Sequence, residues 1–334
     1  MSAPRVSVLL PAKNAEATIE VAVRSVLAQT FRDFELLAID DGSTDATREK
    51  LVAMAAEDAR VRVITTPGLG IPGALNLALA EARAPFLARM DGDDESLPTR
   101  FALSVRALEE HPSWAGVGTG VEIFRDDRPP SPNLHAYGQW LSSLTSPELL
   151  FRDRFIESPL CHPSVMLRAA PVRALGGWRD GDFPEDWELW LRLLEAGHPL
   201  SCLPHVLHRW RDGDTRATRQ DVRYTLEKHL VLKADYLARL FAGTPLTLWG
   251  ATDTGRALSK LLSERGCRVV RFVELNPRKL GQTIHGVPVI HPDALPDDGS
   301  HLVSCVAAKG AREEIRGWMT KRGKVELKDF TCAA

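Results

Sequence analysis

The 334-residue chain carries only five cysteines, Cys161, Cys202, Cys267, Cys305 and Cys332, and no two of them stand at C-x-x-C spacing. A zinc ribbon is excluded, and scattered thiols of this kind suit a reducing compartment. Basic charge is not in excess: 42 Lys and Arg face 44 Asp and Glu, for a formal net charge of -2. That excludes nucleic acid as the main partner. No apolar run approaches the roughly 18 residues that cross a bilayer. The start, MSAPRVSVLLPAKN, lacks the long apolar core of a signal peptide. The expectation is a soluble cytoplasmic protein with no transmembrane segment, whose contact with the inner membrane face is at most peripheral.

What is present is an ordinary globular balance, 44% hydrophobic and 26% charged residues, with length for one large or two ordinary domains. The first part alternates two periods. Residues 5–12, 34–40, 60–66 and 85–91 are apolar and β-branched, as buried strands are. Between them, 15–30, 46–58 and 70–83 carry apolar residues at helical spacing; Ile19, Val23, Val26 and Leu27 are one such face. Alternating strands and helices predict an α/β fold with a mostly parallel sheet. In such sheets ligands bind beyond the carboxyl ends of the strands. Those ends read PAKN, DDGS and MDGDD.

After residue 112 the pattern is irregular. A strand is expected over CHPSVMLR (161–168), a helix over 184–197 and a long connecting helix over 221–243. From Pro245 a second βαβ pattern begins, with strands expected near 246–249, 267–277, 286–290 and 301–308. The organisation expected is a first domain over 1–215, a connecting helix over 216–244 and a small Rossmann-like domain over 245–334.

The acids Asp91, Asp93, Asp94 and Glu95 lie within five positions. Asp and Gly are turn formers, so a solvated turn is one reading. The other is a cation site, because carboxylates gathered at a strand end repel unless a hard cation neutralises them. Mg²⁺ and Mn²⁺ prefer oxygen donors and bind through one or two carboxylates plus substrate phosphates. A second acid pair, Asp40 and Asp41, ends a neighbouring strand.

In this order, VSVLLPAKN, QTFRDFELLAIDDGSTD, ARMDGDDESLP, CHPSVMLR and EDWELWLRL resemble the family 2 glycosyltransferases, over roughly residues 5–215. The resemblance implies the GT-A fold, a nucleotide-diphosphate sugar as donor, Mn²⁺ or Mg²⁺ as cofactor and a glycan or lipid-linked glycan as acceptor. It implies that Pro11, Ala12 and Asn14 line the nucleotide pocket and that Asp41 bonds the base, uracil by expectation. Asp91 would contact the ribose side, and Asp93 and Asp94 would serve the metal. Asp186 would be the catalytic base, with Glu185 and His162 at the acceptor. On residue pattern alone Asp186 is equally a helix-start acid, and Asn14 an Asx-turn residue.

In relatives a histidine near 205–215 approaches the metal or diphosphate; here VLHRWRDGD places Arg211 at about that point. An arginine can clamp phosphate but cannot ligate a metal. In the C-terminal part, WGATDTG follows a strand, and 274–295 resembles the nucleotide-binding lobe of some sugar-modifying enzymes. Thr252 stands where the middle glycine of a dinucleotide turn lets the backbone approach a pyrophosphate, so NAD or another nucleotide is not expected there. A nucleotidyltransferase acting on a sugar phosphate, or a binding protein on a decayed transferase domain, are the competing whole-chain readings.

Overall fold

The computed structural model describes residues 3–214 and 216–334; the expected boundary at residue 215 lies outside them. Two compact units are present. One takes in residues up to Phe151, Pro159–Gly181 and Glu185–Gln220; the other takes in Arg152–Ser158, Asp182–Pro184 and Asp221–Ala334.

The first unit runs Val6–Ala12 (β1), Ile19–Leu27 (α1), Phe34–Asp40 (β2), Thr47–Glu57 (α2), Val61–Thr65 (β3), Gly70–Glu81 (α3), Phe86–Arg89 (β4), Glu95–Ser96 (β5), Arg100–Glu110 (α4), Gly116–Phe124 (β6) and Pro132–Ser143 (α5). After Pro147–Asp153 (α6) come Met166–Arg168 (β7), Ala169–Ala174 (α7), Glu185–Glu195 (α8), Leu200–Arg211 (β8) and Ala217–Gln220 (α9). The eight strands form one sheet in the order β3-β2-β1-β4-β7-β6-β8-β5. Its first four strands are parallel; β7 is antiparallel to both β4 and β6.

β1 and β2 are buried along nearly their whole length, as central strands covered on both faces must be. α1 buries Ile19, Ala22, Val23 and Val26, one stripe at helical spacing. Several charges lie within this sheet, Asp40, Arg89 and Glu35 among the buried ones. Glu35 of β2 is bonded by Ser7 Oγ at 2.7 Å and by the Arg83 guanidinium at 2.6 and 2.9 Å. These bonds outweigh the burial that opposes ionisation and hold its carboxyl below the ordinary range.

The second unit contains Leu226–Leu240 (α10), Leu246–Trp249 (β9), Asp253–Glu264 (α11), Val269–Val273 (β10), Thr283–Ile284 (β11), Val287–Ile290 (β12), His301–Ser304 (β13), Ala311–Lys321 (α12) and Phe330–Cys332 (β14). Its sheet order is β11-β12-β10-β9-β13-β14, parallel except for the β11 hairpin edge. This is the doubly wound arrangement expected of a Rossmann-like domain. Arg316 of α12 pairs with Asp153 and with Glu326 (2.9 Å), so the short 152–158 segment is ion-paired into this unit.

Two expected elements differ. CHPSVMLR is not a strand throughout: His162–Ser164 form a 3₁₀ turn and only Met166–Arg168 pair. Pro163 has no N–H to give a sheet ladder. The helix expected over 221–243 is shorter, because Asp221 bonds the Arg223 N–H in a separate turn and the helix starts only after Thr225.

Candidate active site

The carboxyl ends of β2, β1 and β4 lie side by side, because these three strands are parallel neighbours. The loops after them carry the expected residues. Ala12 closes β1, and its carbonyl accepts the Asp41 N–H at 2.8 Å. Pro11 is half-buried in the same strand end. Asn14 adopts φ 51°, a left-handed conformation that asparagine tolerates. Its Oδ1 accepts the Thr44 N–H at 2.9 Å, and Ser43 Oγ accepts the Asn14 N–H at 3.0 Å, so the β1 and β2 loops are stitched together.

Asp41 is buried and points at the start of α3. Its carboxylate accepts Thr66 Oγ1–H at 2.5 Å, the Leu69 N–H at 2.6 Å and the Gly70 N–H at 2.9 Å. These are unpaired amides of a helix start, which favour a negative charge.

The loop after β4 is drawn tight against β1. A Cβ on Gly92 would meet those of Ala12 and Ala15 at 3.3 and 3.5 Å, and Thr18 Oγ1 donates to the Gly92 carbonyl at 2.9 Å. Only glycine allows that approach. It brings Asp91, Asp93 and Asp94 together, with one carboxylate oxygen of each within 4.8 Å of the others.

The three acids are held differently. Asp91 pairs with Arg89. Asp94 is fully buried; its Oδ1 accepts the Arg211 N–H at 2.8 Å and its Oδ2 lies 2.9 Å from His208 Nε2. Asp93 has no side-chain hydrogen-bond donor among the described residues, so its carboxylate is the least engaged. Burial comes first, and the neighbouring carboxylates second, in raising the Asp93 carboxyl above its ordinary range. Asp94 is raised as well, chiefly by burial and further by Asp91, against the opposing charge of Arg216.

Arg211 does not face this cluster with its guanidinium free. It pairs with Asp126, its Nε–H donates to the Asp93 carbonyl at 2.7 Å, and it covers the Phe124 ring at 4.6 Å. The cation that all three acids sense is Arg216. Burial opposes its charge, but Asp94, Asp93 and Asp91 together raise its pKa.

Asp186 lies half-buried in the first turn of α8, next in sequence to the buried Glu185. The buried Cys161 thiol links it to the acid cluster. That thiol is pushed well up, by burial first, and Asp94, Asp91 and Asp186 all add to the shift. His162 is buried next to Cys161, with its Nδ1 3.8 Å from Glu185 Oε1. Burial, then Arg89, hold its pKa well below the ordinary value, so the ring is neutral. Trp187 and Trp190 are fully buried. They are packing residues, as Trp190 shows by meeting His162 edge-on at 5.7 Å.

Residues 7–176 match the glycosyl transferase family 2 profile, just over half of the chain. The chain belongs to glycosyl transferase family 2. Among its relatives is the putative glycosyltransferase EpsE of Bacillus subtilis (strain 168), 30% identical over 69% of this chain and 81% of that protein. The O-antigen biosynthesis glycosyltransferase WbnJ of Escherichia coli is 27% identical over 57% of this chain and 71% of its own. The crystal structure of S. aureus TarS 1-349 in complex with UDP-GlcNAc superposes with a TM-score of 0.58 at 18% identity, over 78% of this chain and 71% of that one, and shares the GT-A fold. Residues 242–327 of this family 2 glycosyltransferase match the CoA binding domain profile.

Sequence reasoning named the three acids that meet after β4 but missed Arg89, Arg100, His208 and Arg216 beside them. Single buried cations and imidazoles carry no local motif. Not even β8 signals His208, because Leu207 and His208 are both buried and the alternation is broken there.

Proposed function

We propose that the chain is a metal-dependent, inverting glycosyltransferase that moves a sugar from a nucleotide diphosphate, UDP first among them, to a hydroxyl of a bacterial surface glycan. The observation that carries this reading is the meeting of Asp91, Asp93 and Asp94 at one strand end in a chain of this family. The O-antigen role of WbnJ and the UDP-sugar in the TarS structure support the acceptor and donor classes.

The donor set fits a hard divalent ion: all oxygen and close-set. Asp93 and Asp94 would hold it, with Asp91 beside them toward the ribose. When bound, such an ion supplies Lewis-acid stabilisation of the departing diphosphate. The chain's own groups do the rest. Asp41, with the β1 residues Pro11 and Ala12 and the Asn14 turn, orients the nucleotide. Arg216, whose guanidinium also donates to the Arg211 carbonyl at 2.7 Å and covers the Trp210 ring, offers its charge to the phosphates. The Asp186 carboxylate takes the acceptor proton as the hydroxyl oxygen attacks the anomeric carbon and the C–O bond to the diphosphate breaks. A single displacement of this kind inverts that centre. Glu185 and His162, both buried and 3.8 Å apart, hold the acceptor side of the site. A general base so placed contributes about 10²–10⁴-fold.

The crevice at the carboxyl end of the second sheet does not fit a nucleotide diphosphate. About 240 Å³ in volume, it is lined by Glu274, Asp293 and Glu314 beside Trp249 and Trp318. Thr252 Oγ1 already caps α11 at the Gly255 N–H, 3.2 Å away. Lys279 is bonded to the Ala251 carbonyl and close to Glu274. No reaction step is assigned to this unit.

The deciding assay is nucleotide release from a panel of UDP-sugars with Mn²⁺, comparing wild type with Asp186→Asn. Release that needs an acceptor and is lost in the variant is expected. Release that is acceptor-dependent yet unchanged in Asp186→Asn would remove Asp186 from the chemistry. Binding of every donor without turnover would favour a scaffold.

A further inference from the structure

A line of polar groups runs inward from Asp94. His208 Nε2 lies 2.9 Å from Asp94 Oδ2, and the other ring nitrogen, Nδ1, lies 2.9 Å from Arg100 Nη1. Arg100 Nη1 also donates to the Pro163 carbonyl at 2.8 Å, and Nη2 to the Arg89 carbonyl at 2.7 Å. All three residues are at most 1% exposed. A guanidinium has no acceptor, so the Arg100 contact makes His208 Nδ1 the acceptor. The ring proton therefore sits on Nε2 and is donated to Asp94.

Burying a guanidinium, an imidazole and a carboxylate together is rarely the most stabilising way to fill a core. What such a chain does supply is direction. A carboxylate offers about four lone-pair sites. Two on Asp94 are taken, by His208 and by the Arg211 N–H, which fixes the plane of the carboxylate. Asp94 adjoins Asp93, and its position is coupled to that of the whole acidic loop.

We propose that Arg100 and His208 are positioning residues for the cation site: Arg100 sets the His208 tautomer, and His208 holds the Asp94 carboxylate in the orientation that lets the three aspartates receive a divalent ion. This rests on the metal-dependent reading above. Neither residue touches the substrate or the ion. The sources of the effect are separable because the two ring nitrogens do different work. A glutamine amide at position 208 reaches the place of Nε2 and still donates to Asp94. An asparagine places its amide near Nδ1, where it can satisfy Arg100 but leaves Asp94 without a donor.

The test is Mn²⁺ affinity of the full chain with UDP present, read from the free-Mn²⁺ electron paramagnetic resonance signal, with thermal melting recorded in parallel. His208→Asn should weaken Mn²⁺ binding at least tenfold, and His208→Gln should stay within about threefold of wild type, when both remain folded. Arg100→Lys, which keeps charge but loses the fixed fork, should fall between them. Equal Mn²⁺ affinity in folded His208→Asn and His208→Gln overturns the proposal, as does a loss that follows melting temperature alone. If the wild type binds no Mn²⁺, the metal-dependent reading fails, and this proposal with it. Wild-type binding with no difference between the variants sinks only the positioning role.

Discussion

The indole N–H of Trp178 donates to His162 Nε2 at 3.0 Å. That bond assigns the His162 proton to Nδ1, the nitrogen on the Glu185 side. Trp178 is itself fixed by Asn76, whose side chain accepts the Trp178 N–H at 2.9 Å and donates to its carbonyl at 2.7 Å. A line from α3 to α8 thus orients a neutral imidazole behind the candidate base.

Trp178→Phe should remove this donor, and the space left by the fully buried indole adds to the cost. A buried acceptor left unpaired costs about 1–3 kcal/mol. Urea unfolding followed by circular dichroism should show a loss of at least that size, with the slope against urea unchanged.

Arg216→Gln should lower kcat/KM for the nucleotide-sugar about 10²-fold, the usual cost of removing one preorganised charge stabiliser. Arg211→Gln should cost less, because its guanidinium already serves Asp126 and the Asp93 carbonyl. Steady-state kinetics of both variants, with donor varied at saturating acceptor, checks the order.

The second unit should lose stability in mild acid through His301. This ring is packed on Phe241 at 4.1 Å and lies 3.0 Å from Thr331 Oγ1. Burial lowers its pKa from 6.5 to about 4. The unfolded chain therefore binds a proton that the folded one refuses. The neutral ring's contribution is fully present above pH 6.5 and is lost as pH falls from there to about 4, reaching about 3 kcal/mol. His301→Gln should flatten that limb of the pH–stability curve, measured by denaturant unfolding of the full chain.

Calorimetric titration of the full chain with CoA or NAD should give no heat of binding up to about 1 mM, where affinities near -4 kcal/mol would register. Glu274, Asp293 and Glu314 set the sign of the crevice. Saturable binding with Kd in the micromolar range would refute this expectation.

The fold was legible in the sequence wherever one period governed a segment. Up to Asp94, strands and helices fall within a few residues of their expected places, because β1, β2 and β4 are apolar on both faces. Past residue 112 the signal fades for physical reasons. β6 begins with glycines at 116 and 118 where a Cβ would strike Leu167 and Leu160 side chains at 2.4 and 2.7 Å. A strand selected for close packing does not look like one by propensity. In β8 the outward residues Pro204–Val206 interrupt the alternation. The acidic motif was readable as a cluster, but its partners were not. Arg100, His208 and Arg216 reach it from α4, β8 and the segment after β8, and only tertiary contact joins them.

The ion pairing of Asp153 with Arg316 and Arg152, together with Glu326 on Arg316, has a consequence for the history of the chain. The second unit borrows residues 152–158 and 182–184 from the middle of the polypeptide. A gene fragment starting at codon 221 would encode that unit without Asp153, one of the three carboxylates that face Arg316. Swapping its tail for another by one crossover would therefore strip the buried Asp153 of one of its two arginine partners. Exchange between relatives at this junction should be rare unless the two short insertions travel with it.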